Sequence, residues 1–155
     1  MEEVFKKISE KIITEEDLVF FLDQLALVKK IIFSNTEISL SQRLKNKVDE
    51  RIRREIEKLE ERGEIPLFVE EQSTFFEQLE KFLLKIPKVQ LEIAFEPSNE
   101  FLLEIDNWFK ENVGKKVILD IFVNPKIVGG ARIEYQGKWV DFSLGKEIEK
   151  LYGGV

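Results

Sequence analysis

The sequence predicts an α+β chain: an N-terminal helical bundle of about four helices, then a small mixed β-sheet domain of order β-α-β-β-β-α. Three observations carry this. Up to Leu84, apolar residues recur at the helical period, and from Val89 they alternate with polar ones at the strand period. Ile86-Pro87 lies where the period changes, and a proline disfavours helical angles in the residue before it. Pro87 is therefore the expected boundary, with a helical domain over residues 1–87 and a sheet domain over residues 88–155.

Met1 to Ile13 reads as a short amphipathic helix with Val4, Phe5, Ile8 and Ile12 on one face. Thr14 is a candidate N-cap, and Glu15, Glu16 and Asp17 place negative charge in the first turn of the next helix, where its dipole favours anions. That helix, about Glu15 to Phe33, is more apolar than one buried face requires. Leu18, Phe21, Leu22, Leu25, Val28 and Ile32 form the inward stripe, while Val19, Phe20, Leu27 and Ile31 widen it. The helix is either central in the bundle or offers Phe20, Leu27 and Ile31 to a partner. From Ile38 to about Arg62 a longer helix is expected, with Leu40, Leu44, Val48, Ile52, Ile56 and Leu59 in a narrow stripe. Its charges are spaced to pair, Asp49 with Arg53 and Glu50 with Arg54. Gly63 suits the residue after that helix, and a fourth helix within Pro66 to Leu84 uses Leu67, Phe68, Phe75, Phe76, Leu79, Phe82 and Leu83.

Beyond Pro87, Val89, Leu91, Ile93 and Phe95 mark a strand with one buried face. Glu96-Pro97-Ser98 turns into a helix carrying Phe101, Leu102, Ile105, Trp108, Phe109 and Val113, closed by Gly114. Val117 to Val123 is apolar on both faces except at Asp120, which predicts a central strand. The intervening helix is long enough to make these two strands parallel. Asn124-Pro125 then turns the chain, Gly129-Gly130 permits angles that a Cβ forbids, and Ala131, Ile133 and Tyr135 alternate as a further strand. Gln136-Gly137 makes a hairpin turn into Lys138 to Phe142, and Ser143 can cap a last helix carrying Ile148 and Leu151.

Composition removes several functions. The chain has no cysteine and no histidine, so thiolate nucleophiles, disulfides, the usual zinc ligands and imidazole bases are excluded. A net charge of −6, with acidic residues in excess on both sides of Pro87, argues against nucleic acid and anionic lipid as partners. No glycine-rich phosphate cradle follows a strand. No catalytic, cofactor-binding or metal-ligating residues are expected, and the carboxylates sit among lysines; Asp120 alone stands in apolar surroundings, which suits a sheet-edge position or a lysine partner. The N-terminus has no apolar run of the kind that opens a signal peptide, so a soluble, cytoplasmic chain without direct membrane insertion is expected.

The ordered string of Asn124, Pro125, Ile127, Gly129, Gly130, a hairpin, then Asp141, Ser143 and Leu151 closely resembles the C-terminal end of the delta subunit of F-type ATP synthases, the family of the oligomycin-sensitivity-conferring protein. The similarity runs from about Lys88 to Leu151. Asn124 stands where that family usually has Asp, and Phe142 where a small residue is common. Residues 1–87 are shorter than the family's usual six-helix domain. The resemblance implies a non-catalytic stator, or peripheral-stalk, subunit attached to the cell membrane through the ATP synthase complex. Its helical domain would bind the N-terminal segment of an alpha subunit, and its sheet domain the C-terminal end of the stalk b subunits. The same Gly-Gly, hairpin and Asp also resemble the stalk E subunit of archaeal and vacuolar-type ATPases. A nucleic-acid-binding module is the remaining alternative, since such modules also mix three strands with helices.

Overall fold

The computed structural model describes residues 1–127, 130–135 and 138–143, the last stretch by its backbone alone. The chain forms two compact units: Met1–Lys11 with Glu16–Lys85, and Ile12–Glu15 with Ile86–Val155. Four residues before Glu16, which the sequence assigns to the helical part, thus fall with the sheet.

The first unit is built from α1 (Glu2–Ser9), α2 (Glu15–Ile31), α3 (Leu40–Arg43), α4 (Glu50–Glu61) and α5 (Val69–Leu84). Its core is the stripe the periodicity marks: Phe5, Leu18, Leu25, Val28, Ile32, Leu40, Leu44, Ile56, Phe75, Phe76, Leu79 and Leu83 are all buried. Phe5 of α1 meets Phe75 edge-on at 5.2 Å between ring centroids and Phe82 at 5.7 Å, so aromatic packing joins α1 to α5.

The expected single helix over Ile38 to Arg62 is two helices, which gives five in this unit rather than about four. The break is at Asn46, whose φ of 62° is left-handed, a region that Asn enters more readily than most residues. Asp49 then caps α4, its carboxylate accepting from Arg51 N–H at 2.9 Å. That role displaces the expected Asp49–Arg53 pair: Arg53 instead bonds Glu50 and Glu57, and Glu50 also takes Arg54. Across the break, Glu60 of α4 reaches back to the amides of Leu40 and Ser41 at the start of α3. Buried Arg43 donates to the Ile32 carbonyl beyond the end of α2 and to Gln72 of α5. The fourth expected helix begins later than its apolar residues suggest, at Val69, and leaves Leu67 90% exposed.

The second unit holds β1 (Lys88–Ile93), α6 (Asn99–Asn112), β2 (Ile118–Val123), β3 (Gly130–Tyr135) and β4 (Lys138–Ser143), in the sheet order β2-β1-β3-β4. β1 and β2 are parallel, as the helical crossover requires; β1–β3 and β3–β4 are antiparallel. Ser98 caps α6 through the Phe101 amide, and Gly114 follows it at φ +70°. Val89, Leu91 and Ile93 pack with Leu102, Ile105 and Phe109 of α6, with Leu119, and with Ala131 and Ile133. The central strand is β1, not β2. The apolar run of β2 is buried only at Ile118 and Leu119, while Phe122 is 51% exposed. A strand is buried on both faces only where a layer covers each of them, and from Asp120 onward β2 is half-buried to exposed. The expected final helix lies outside the described residues.

Gly63 closes α4 at φ +67°, with its N–H on the Glu60 carbonyl and that of Glu64 on Leu59, a Schellman arrangement. A Cβ there meets nothing within 4 Å. Gly63→Ala should therefore cost only the left-handed backbone term, about 1–2 kcal/mol. In a thermal melt this should appear as a fall of roughly 2–8 °C. An unchanged Tm would contradict the cap.

Candidate functional site

The residues singled out in the sequence fall into two places, the turn after β2 in the sheet unit and the outer face of α2 in the helical unit. The turn is built by its own side chains. Ile127 N–H donates to the Asn124 carbonyl at 3.1 Å, closing a four-residue turn with Pro125 second, where its fixed φ fits. The Asn124 side-chain oxygen accepts from Lys126 N–H at 3.1 Å, and its backbone N–H donates to Ile93 O at 2.7 Å. Its side-chain amide donates to Glu92 of β1 at 2.8 Å. One asparagine thereby ends both parallel strands and makes the turn.

Of the other motif residues, Gly130 opens β3 opposite Ser143, and Arg132 lies opposite Asp141 in the register. Gly129 lies outside the described residues, as do the side chains of Asp141 and Ser143 and that of Trp139. Asp120 is half-buried on β2; burial and the neighbouring Glu15 raise its carboxyl pKa, and Lys88 opposes them. Asp106 escaped notice although it sits on the apolar face of α6, between Ile105 and Phe109. It is 1% exposed and bonded to Lys116 at 2.7 Å and Lys110 at 2.9 Å. An acid at a core position with a lysine one turn later is the signal that could have found it. A buried carboxylate held by two ammonium groups ties the middle of α6 to the approach to β2. It is a structural clamp rather than a reactive acid.

On α2, Phe20 is 38% and Leu27 36% exposed, with Ile31 half-buried on the same stripe. Val19 and Phe33 add exposed apolar surface. The guanidinium of Arg51 lies 5.2 Å over the Phe20 ring. Arg51 is held there by Asp49, with Asp17 adding to the attraction, so its pKa is raised. The strip is thus apolar with a charged rim. Among the described residues no group of three or more acidic side chains could hold a metal ion.

A protein-family model, that of the ATP synthase delta (OSCP) subunit, matches residues 1–153. The chain belongs to this family. It is thereby a peripheral-stalk subunit of ATP synthase. The match takes in the five helices of the first unit as well as the sheet unit, where the resemblance had rested on the C-terminal part alone. No curated protein matches the chain. The delta family's subunit is attached peripherally to the membrane-bound complex, and among the described residues no helix is long and apolar enough to cross a membrane.

The bond from Asn124 to Glu92 also accounts for a departure from the family pattern. An aspartate at 124 would set a second carboxylate against Glu92, whereas the asparagine amide donates to it. Asn124→Asp should destabilise the sheet unit at neutral pH by about 1 kcal/mol or more. The repulsion needs both carboxylates ionised, so this loss should shrink as pH falls into the carboxylate range. Adding Glu92→Gln should restore stability at neutral pH. Equal melting of Asn124→Asp and the unaltered protein at pH 7 would contradict the assignment.

Proposed function

We propose that this chain joins the catalytic head of an F-type ATP synthase to the b subunits of its peripheral stalk and resists rotary torque. The helical unit takes the N-terminal segment of an alpha subunit. The sheet unit takes the C-terminal end of b. Torque from the central stalk acts on the head; holding the head still keeps proton flow coupled to ATP synthesis. The work is mechanical, on the cytoplasmic face of the membrane, and needs no cofactor.

The observation that carries the reading, beside the family itself, is the strip of Val19, Phe20 and Leu27 left exposed on α2. A helix whose inward stripe is already buried gains nothing inside its own unit from further apolar residues. An amphipathic partner helix laid on the strip would remove them from water, at about 25 cal/mol per Å² of apolar surface covered. The Arg51, Asp49 and Asp17 rim would fix its register by charge.

The test uses the full chain and two synthetic peptides, the N-terminus of the cognate alpha subunit and the C-terminal end of b, by calorimetry. Both are expected to bind. Phe20→Glu with Leu27→Glu should weaken the alpha peptide by roughly tenfold or more and leave the b peptide unchanged, since truncated apolar anchors dominate such interfaces. Binding of neither peptide would overturn the proposal. Binding of b alone would narrow it to a stalk cap whose helical domain is attached in another way.

A further inference from the structure

Between α1 and α2 the chain leaves the helical unit for four residues, Ile12–Glu15. There it lies beside β2 in a single bridge: Thr14 pairs parallel with Leu119, and the Leu119 N–H donates to the Ile13 carbonyl at 2.8 Å. Ile12 is 3% exposed, and Ile13 packs against the core of Val89, Leu91, Leu119 and Ile133. Lys88 Nζ, at the start of β1, is 2.6 Å from the Glu15 carboxylate.

Amides along a strand face its two edges alternately. The Ile118 N–H is satisfied on the β1 side, by the Pro87 carbonyl at 2.8 Å. The Leu119 N–H therefore faces the outer edge, where the end strand of an open sheet would meet only solvent or another chain. Its acceptor comes from the opposite end of the sequence. The chain thus passes between the two units three times, after Lys11, after Glu15 and after Lys85.

We infer that Ile12–Glu15 is a strap that completes the sheet unit. The C-terminal fold is accordingly not the contiguous segment 88–155: its outer edge and part of its core are supplied by the N-terminus. The ion pair of Lys88 with Glu15 is partly exposed and adds little. The strap is held by the backbone bond and by the packing of Ile13 against the sheet core. It closes only the first half of the β2 edge, because the residue after Glu15 already continues as α2. Cutting the protein at Pro87 therefore removes this bridge from the sheet, and binding assays on isolated halves would measure a damaged C-terminal unit.

Native-state hydrogen exchange on the full chain, read at single amides, tests this. The amides of Leu119 and Ile121 lie on the same outer edge, but only Leu119 lies under the strap. In the unaltered protein Leu119 should exchange roughly a hundredfold more slowly than Ile121. Ile13→Asp should raise the Leu119 rate by about tenfold or more, with a smaller change at Ile118, whose bond is to Pro87. Loss of protection throughout β1–β4, with Phe76 of α5 still protected, would support the strap in its stronger form. Equal rates at Leu119 and Ile121 in the unaltered protein would overturn it, as would an Ile13→Asp variant that leaves Leu119 as protected as before. If that variant does not fold, the ratio in the unaltered protein decides.

Discussion

β1 gives its two edges to neighbours of opposite direction, and the sheet unit depends on that pairing. Its parallel edge demands a crossover, which α6 supplies; its antiparallel edge takes β3, which the turn at Asn124–Ile127 brings back. Val89, Leu91 and Ile93 are fully buried between those neighbours and under α6. Each such side chain contributes about 1.5–3 kcal/mol by leaving water, and none can be lost without opening the core beneath the helix. The clamp of Asp106 with Lys110 and Lys116 and the bond of Asn124 to Glu92 both act at the margins of that core. The first ties the middle of α6 to the approach to β2, and the second holds the chain where β2 ends.

The helical unit follows a different economy. Its aromatic core is closed by Phe5, Phe75 and Phe76, and its breaks are capped by side chains from other helices, Glu60 over α3 and Arg43 beyond the end of α2. With the aromatic core closed, Val19 and Leu27 are left exposed on α2, and Phe20 meets the Arg51 guanidinium over one face. For the stator role proposed above, that outward apolar strip is the contact surface to test. A stator works through its contacts, and its own core has only to stay rigid under load.

Much of this was legible in the sequence, because the elements are set locally. The turn at Glu96-Pro97-Ser98 into α6 and the helix-ending glycines at 63 and 114 each act within one turn of chain, and each stands where its residues indicate. What could not be read depends on distant partners. Asn46 breaks a helix whose apolar stripe runs on unbroken, and only its left-handed φ shows the break. The apolar run of β2 suggests strands on both sides, yet its outer neighbour is the four-residue strap, too short and too remote to leave a period. The helical surplus at Phe20, Leu27 and Ile31 was visible as excess apolar residues. Exposure confirms an outward position for the first two, while Ile31 is half covered.

The chain is proposed to keep the catalytic head from turning with the rotor. Membrane vesicles carrying the cognate ATP synthase, stripped of this subunit and then given it back in purified form, measure that directly through ATP-driven acidification alongside ATP hydrolysis. Stripped vesicles should still hydrolyse ATP but acidify poorly, and the added chain should restore acidification. Acidification that is unaffected by removing the subunit would contradict it.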